Sequence, residues 1–424
     1  MPPTACVAIA GPNHPPTMPE HTPPHTDLRD GGASVLWVAH GYPSAQFPGL
    51  GAFVQVQAQA LAPNLAHLDI VTPVSAMPWG LGNLSARWRR IAEMPAVEQD
   101  GNLTVHRPRY FAHPRENRIG IPHRFMLRAT RRLGLAKPTV IHAHCGVPHG
   151  WVAMELARQW KLPYVMTLIG SDVTTFARAT AGARKRFAQS VRNADAVFAV
   201  GSRLATETEA MTGRLPDILH YGVREDWLTA PRDRTAARTR LGLPAGGFVG
   251  LFVGQLTEAK GVGDLARAIA ASEGADAGPA AQWLFVGDGP LRETLKTMPS
   301  CRLAGAVAHS ALRDYYDAAD ALFLPSHQEG MPTVILEAGS RGIPVAATDV
   351  GSVRDAVNEK TGWLLRPRHD EDLVQAVRAV RDATREMRAA RGEHLFQIVR
   401  RDYSAATNAG KLRDLYGTLS GALG

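Results

Sequence analysis

Residues 321–338 read Ala321-Leu-Phe-Leu-Pro-Ser-His-Gln-Glu329-Gly-Met-Pro-Thr-Val-Ile-Leu-Glu337-Ala338. Four apolar residues end in a polar loop, and a second apolar stretch follows a proline. The pattern predicts a buried strand, a turn, and a helix near 333–341 opened by Pro332, whose missing N–H costs nothing in a first helical turn. The free N–H groups of a helix start favour an anion such as a diphosphate. Glu329 falls in the loop, and Glu337 lies about 1.5 turns inside the helix. Two carboxylates beside an anion-binding helix start suit hydroxyl acceptance from a sugar. Taken alone, the same spacing is that of an ordinary surface pair.

The surroundings repeat the theme. Phe252-Val-Gly254-Gln255-Leu-Thr-Glu-Ala-Lys260-Gly261 is a strand, a glycine turn and a lysine ahead of a helix, where a point charge can meet a phosphate. Phe285-Val-Gly287-Asp-Gly-Pro-Leu291 is another strand ending in a glycine turn, suited to cradling a base or ribose and equally to a plain tight turn. Strands are predicted at Phe248–Val253, Trp283–Val286, Ala321–Leu324 and Pro344–Ala347, with helices near 261–272, 309–319, 333–341 and 371–390. In the first half the strand candidates are Val35–Ala39, Leu68–Pro73, Thr139–Ala143, Tyr164–Leu168 and Ala196–Val200, with helices such as Phe53–Leu61 and Trp151–Trp160 between them.

Strands alternating with helices imply parallel sheets covered on both faces. Pro231, Pro244 and Gly246-Gly247 mark a hinge. The organisation expected is a tail at 1–33, a Rossmann-like domain at 34–225, a second at 226–400, and a last helix at 401–424 packing back toward the first domain. Ligands of such α/β sheets bind beyond the carboxyl ends of the strands, so the expected site is a cleft between two facing domains.

A chain of 424 residues suits two cores. Three scattered cysteines, Cys6, Cys145 and Cys301, exclude a disulfide framework and a zinc ribbon and fit a reducing compartment. Residues 31–68 lack formal charge, but prolines, glycines and glutamines interrupt them, so no membrane span or secretory signal is expected. Net charge is +8, and all of the excess lies in residues 1–225, with nine basic residues between Arg107 and Lys137 against the single acid Glu116. The stretches 85–91 and 123–133 mix arginine with apolar and aromatic residues at helical spacing. Such helices bind anionic membrane surfaces, and as often show a solvated arginine face above a core-facing apolar side. Nucleic acid is excluded for want of a recognised module.

Taken in order, Val253-Gly254…Lys260-Gly261, Gly287-Asp288-Gly289-Pro290, Ala319-Asp320, Leu324-Pro325-Ser326, Glu329-Gly330 to Glu337-Ala338, and Gly342-Ile-Pro-Val345 with Gly351 resemble the C-terminal half of the family-four retaining glycosyltransferases of GT-B fold. The first half is similar more loosely, through Tyr42-Pro43 with Pro48-Gly49-Leu-Gly51, Ile141-His-Ala-His144, Val165 to Gly170-Ser171-Asp172, Ala199 to Ser202, and Ile218 to Gly222. The resemblance implies an α/β protein with two Rossmann-like domains facing across a cleft. It also implies transfer of a hexose from a UDP- or GDP-linked sugar to a glycan or lipid-linked acceptor, in cell-surface polysaccharide or glycolipid synthesis.

On that resemblance Glu337 binds the ribose hydroxyls, and Lys260 with the amides of Met331, Thr333 and Val334, at the turn that Pro332 shapes, faces the diphosphate. Glu329 and Gly330 meet the sugar. Gly254, Gln255 and Gly287 lie under the nucleotide, and Gly49 and Gly51 face its phosphates from the other domain. Asp172 joins Glu329 and Lys260 in the catalytic set, and His144 and Ser171 fall on the acceptor side. No cofactor and no metal are implied. The expected setting is cytoplasmic, with contact to the inner face of the plasma membrane. Three positions depart from the family: Ile169 replaces a histidine thought to touch the transferred sugar, Gln255 an arginine, and Tyr221 the asparagine of an Asn-Gly pair. These leave open a catalytically impaired nucleotide-sugar-binding protein, or a sugar phosphorylase on the same fold.

Overall fold

The structure, a computed structural model, describes residues 32–76, 86–111, 122–272 and 281–421. The tail expected at 1–33 thus lies outside the described residues except for Gly32 and Ala33, and so does Ser85.

The first half supplies β1 (Ser34–Ala39), β2 (His67–Val71), β3 (Val74–Ala76), β4 (Val97–Asp100), β5 (Leu103–His106), β6 (Arg109–Phe111), β7 (Val140–His144), β8 (Tyr164–Leu168), β9 (Ala196–Ala199) and β10 (Asp217–Ile218). They form a sheet in the order β10-β9-β8-β7-β1-β2-β5-β4, parallel except for the antiparallel β4–β5 pair, with β3 and β6 paired separately. The second half supplies β11 (Val249–Val253), β12 (Gln282–Val286), β13 (Cys301–Gly305), β14 (Ala321–Leu324), β15 (Val345–Thr348) and β16 (Gly362–Leu365). Their all-parallel order is β13-β12-β11-β14-β15-β16.

Both sheets are covered on both faces. Leu36 and Val38 of β1 pack into one cluster, while Val35 and Trp37 pack into another on the opposite side. Val249, Leu251 and Val253 of β11 face Ile335 and Leu336, whereas Phe252 faces Leu265 and Ile269. This two-sided burial makes the central strands read as unbroken apolar runs.

Two sequence expectations are corrected. The helix expected at 371–390 is two helices, Asp370–Asp382 and Arg385–Asp402. Ala383 leaves helical conformation, and the Thr384 side chain caps the second helix by accepting from the Met387 N–H at 3.2 Å. Pro332 is not the first helical residue but the N-cap of helix Thr333–Ser340, with an extended ψ of 117°.

The last helix, Ala405–Gly421, lies on helix Ala52–Leu61 of the first half. Its Tyr416 hydroxyl accepts from Trp37 Nε1 at 3.2 Å and also bonds His142 Nδ1.

Candidate functional site

Strand order reverses between β11 and β14, so the loops leaving these two strands diverge and open a crevice at their carboxyl ends. That crevice receives Gly254, Gln255 and Lys260 from one loop and Ser326, Glu329 and Gly330 from the other. Lys260 ends a single 3₁₀ turn, Glu258–Lys260. Its Nζ lies 2.7 Å from Glu329 Oε1, which also accepts from the Ser326 hydroxyl at 2.7 Å. Residues 69 positions apart thus form one ion pair, with the Glu329 side chain only 10% exposed. Gly287 ends β12 with a φ of 139°, and a Cβ there would fall 1.8 Å from the Gly254 carbonyl oxygen. Only glycine lets these two turns meet.

Glu337 sits one helix face away and is also nearly buried. Its Oε2 accepts from the Tyr316 hydroxyl at 2.6 Å, and its Oε1 lies 3.2 Å from His309 Nε2. His309 in turn stacks on Trp227, with ring centroids 5.1 Å apart. The Glu337 carboxylate raises the His309 pKa above 6.5 against the opposing effect of burial. A small cavity lined by Phe53, Trp227, His309, Thr333 and Glu337 opens at this point, between the two halves. The N–H groups of Thr333 and Val334 begin the helix and have no intrahelical acceptor.

The halves touch directly above the crevice. A Cβ on Gly330 would come within 2.7 Å of the Ile169 carbonyl oxygen, so the two turns meet backbone to backbone. Gln328 Nε2 donates to Thr174 Oγ1 at 3.2 Å. Met331 packs against the cores of both halves.

Asp172 does not present its carboxylate to this space. It is wholly buried and accepts from the Gly146 and Gly170 N–H groups at 2.7 Å each and from the Ile169 N–H at 3.2 Å. Burial raises its pKa, and these amides work in the other direction. It is therefore a positioning residue for the 169–172 turn, which corrects its grouping with the reacting residues. His144 is corrected too. It has no exposed surface, its Nδ1 lies 3.1 Å from the Tyr221 hydroxyl, and its ring sits 3.9 Å from Trp37. Burial lowers its pKa well below 6.5. Ser171 is exposed at the seam. Gly49 is exposed in the 41–51 loop, while Gly51 is buried against the Gly41 carbonyl.

Sequence reasoning missed Tyr316, His309, Trp227 and Ser326. Tyr316 and His309 reach Glu337 from separate elements and Trp227 backs their rings, so no spacing announces them. Ser326 lies three residues before Glu329 within the quoted loop, and that proximity was a usable signal.

Comparison with known proteins agrees with this fold. Residues 28–226 match the family described as Glycosyltransferase Family 4, and residues 247–382 match that described as Glycosyl transferases group 1. A Bacillus subtilis glycosyltransferase assigned to teichuronic acid biosynthesis is 31% identical over 390 residues, spanning 91% of this chain and 98% of its own. Among solved structures, sucrose-phosphate synthase from Thermosynechococcus elongatus superposes with a TM-score of 0.75 at 23% identity, over 92% of this chain and 99% of its own. Anabaena Alr3699/HepE in complex with UDP superposes with a TM-score of 0.67 at 17% identity, over 91% and 100%. At these identities the two structures speak to the fold.

Proposed function

The chain belongs to the family-four glycosyltransferases of GT-B fold, and we propose that it moves a hexose with retention from a UDP-linked sugar to a growing glycan or lipid-linked acceptor in polysaccharide synthesis. The observation that carries this reading is the paired site at one switch point: Lys260–Glu329 in the crevice and Glu337 on the adjoining helix. The uridine preference is supported by the UDP bound to HepE, and the acceptor class by the teichuronic acid relative.

In this reading Glu337, already oriented by Tyr316, accepts hydrogen bonds from the ribose diol. Gly254, Gln255 and Gly287 floor the nucleotide. Lys260 and the amides of Met331, Thr333 and Val334, at the turn capped by Pro332, stabilise the diphosphate as the C1–O bond breaks and its electron pair moves to the leaving oxygen. Glu329 fixes a sugar hydroxyl, and the Gly330 backbone approaches the sugar face. Gly49 and Gly51 shape the loop facing the phosphates from the other half. The acceptor hydroxyl attacks C1 from the face the diphosphate leaves, and its proton passes to the departing phosphate oxygen. Retention then follows without a protein base, and the enzyme's contribution is orientation and charge stabilisation. Because Lys260 and the helix start supply the positive potential, the reaction is read as metal-independent.

The test is a panel of UDP-, GDP- and ADP-sugars followed by thermal shift, since a ligand that binds the folded state raises its stability by mass action. A UDP-sugar should raise the melting temperature and, with oligosaccharide or lipid-linked acceptors, release UDP with an α-linked product from an α-linked donor. Binding without UDP release across a broad acceptor panel would replace this reading with that of a nucleotide-sugar-binding protein. Phosphate-dependent cleavage of a glycoside would replace it with a phosphorylase.

A further inference from the structure

At the amino-terminal ends of β14 and β15, opposite the donor crevice, a pocket of about 200 Å³ opens in the second half. Asp320 and Pro344, which directly precede these strands, line it. So do Arg232 and Arg234, just after the chain enters this half, and Arg385 and Arg388, in the first turns of helix Arg385–Asp402. Residues 226–424 carry 24 basic and 24 acidic side chains, so four arginines around one carboxylate are a local surplus.

That carboxylate is already shared. Asp320 Oδ1 lies 3.1 Å from Arg234 Nη2, and Oδ2 accepts from the buried Arg238 and from the Val249 N–H, each at 2.8 Å. Asp233, nearby in sequence, caps helix Arg234–Arg240 by accepting from the Ala236 N–H at 2.9 Å, and Glu386 bonds the Thr384 side chain. Arg232, Arg385 and Arg388 are left with no ion-pair partner among the described residues.

Two of these three are held in place without being neutralised. Arg232 donates through Nε and Nη2 to the carbonyls of Asp317 and Ala319, and Arg388 through Nη1 to those of Val380, Arg381 and Ala383. Among the described residues, Arg232 Nη1, Arg388 Nη2 and the whole Arg385 guanidinium have no acceptor. The groups packed around Arg232 desolvate it and lower its pKa to about 10, even though part of the side chain stays exposed. Asp317 and Asp320 oppose that shift, while Arg234 and Arg341 add to it. A phosphate oxyanion relieves such crowding and accepts the paired N–H donors of fixed guanidinium groups. The remaining lining residues, Gly342, Pro344 and Ala389, offer no aromatic face to stack a base, so the pocket suits a small phosphorylated anion and not a nucleotide.

The pocket is wired to the donor site. Gly342 follows helix Thr333–Ser340, whose other end begins the anion-binding turn about 12 Å away and whose Glu337 faces the ribose in the proposed reading. Gly339 of that helix packs on Leu395 and Val399 of helix Arg385–Asp402. Buried Arg341 pairs through Nε and Nη2 with both oxygens of Asp317, at 2.6 and 3.1 Å, on helix Leu312–Ala318, which brings Tyr316 to Glu337. Arg341 also donates to the carbonyls of Trp227, Ala230 and Pro231, the segment leading to Arg232. An anion joining Arg232 to Arg385 would tie this segment to helix Arg385–Asp402 and brace both helices that meet at Glu337.

We propose that this pocket is an effector site for a small phosphorylated anion, held between Arg232, Arg385 and Arg388, whose binding strengthens donor binding through the Arg341–Asp317 pair. The coupling rests on the glycosyltransferase reading; the anion site does not.

The test titrates inorganic phosphate, pyrophosphate and fructose 1,6-bisphosphate into the full chain by calorimetry, with UDP at saturation to occupy the donor crevice. Pyrophosphate and the bisphosphate reach two guanidinium groups and should bind more tightly than phosphate. Arg385→Ala removes an exposed side chain and should weaken binding roughly tenfold, the scale of a charge-assisted hydrogen bond. Ala389→Glu sets a carboxylate in the exposed wall and should abolish binding. Both variants should keep the melting temperature and the UDP-induced thermal shift of the anion-free protein. In wild type, fructose 1,6-bisphosphate should raise UDP affinity about fivefold, the lower end of allosteric coupling, and Ala389→Glu should lose that rise. Anion binding unchanged in both variants would overturn the site. Binding with no rise in UDP affinity, or with a fall that persists in Ala389→Glu and so marks competition in the crevice, would overturn the coupling. Sedimentation with phosphatidylglycerol vesicles that Ala389→Glu abolishes would put the phosphate on a lipid headgroup and overturn the free-anion form. If UDP itself does not bind, the donor reading fails, and titration of wild type against Ala389→Glu still decides the pocket.

Discussion

Glu337 offers the sharpest test of the donor site, because its environment lets binding and folding be separated. The carboxylate is nearly buried and takes one hydrogen bond from the buried Tyr316 hydroxyl at 2.6 Å. A hydrogen bond to a charged group is worth roughly 1.5–3 kcal/mol. If Glu337 also accepts from both ribose hydroxyls, Glu337→Gln should weaken UDP binding by about one to two orders of magnitude, since 1.4 kcal/mol is tenfold. Tyr316→Phe leaves the charge and removes only the orienting donor. It should cost less, about threefold to tenfold in UDP affinity, by letting the carboxylate rotate. The double variant should fall short of the product of the two, because Tyr316 acts through Glu337. Isothermal titration with UDP gives the affinities, and melting temperatures without ligand show what each change does to the fold. If UDP affinity is unchanged in Glu337→Gln while the melting temperature drops, the carboxylate is a structural acceptor for Tyr316 and the ribose assignment is wrong.

Other outcomes follow from the same geometry. Lys260→Ala should lower kcat about 100- to 1000-fold, the scale of removing one transition-state charge contact, with a smaller change in UDP affinity; a loss confined to affinity would show that Lys260 holds the ground state alone. Gln255→Arg should tighten UDP binding by adding a cation at the exposed turn beside the diphosphate, and weaker binding would mean that a compensating charge already occupies the pocket. His309 has its pKa raised above 6.5 by Glu337, with Arg224 opposing and Asp226 assisting, so its contribution to stability is complete below pH 6.5 and is lost as pH rises through the raised value. Wild type minus His309→Gln melting temperature should therefore shrink from pH 6 to pH 8, and a constant difference would remove the ion pair from the account. Charge reversal at Arg128, Arg131 and Arg132, all on or beside the exposed face of helix Pro122–Arg131, should abolish salt-sensitive sedimentation with anionic liposomes and leave UDP binding intact; equal sedimentation with neutral vesicles would exclude an electrostatic membrane contact.

The central strands could be read from sequence because burial on both faces leaves no polar alternation to confuse the pattern. Tyr164–Leu168 and Ala321–Leu324 coincide with β8 and β14. The peripheral strands escaped for the opposite reason. Edge strand β4 is Val-Glu-Gln-Asp, and β13 alternates between half-buried and exposed along Cys-Arg-Leu-Ala-Gly. Glu329 and Lys260 were legible as chemistry because each adjoins a strand end and a glycine turn. Their 2.7 Å pairing was not, since it depends on β11 and β14 lying side by side while 69 residues separate the two side chains. The basic helix was legible only as two alternatives. Met126, Leu127 and Ala129 join the core, as the plain amphipathic reading requires, yet Phe125 remains 41% exposed beside its arginines.

Two of the three departures from the family pattern, Ile169 and Gln255, bear on different walls of the site, and the geometry gives each a consequence. Ile169 spends its N–H on Asp172 and its carbonyl against Gly330, and its side chain packs with the core of the first half. It therefore keeps the backbone contact between the halves, and on the proposed reading only a side-chain contact to the sugar is missing, so recognition of the sugar would fall more heavily on Glu329. That carboxylate pairs with Lys260, so the crevice with Gln255 is close to charge-balanced. In the proposed reaction a donor would exchange one contact on each member of the pair, a phosphate oxygen for Lys260 and a sugar hydroxyl for Glu329. An arginine at 255 would add an unpaired cation to the crevice and strengthen attraction to any polyphosphate, free UDP included. Glutamine removes that surplus, and on the proposed reading the expected consequence is weaker retention of the nucleoside diphosphate product, which favours turnover where product release limits the rate.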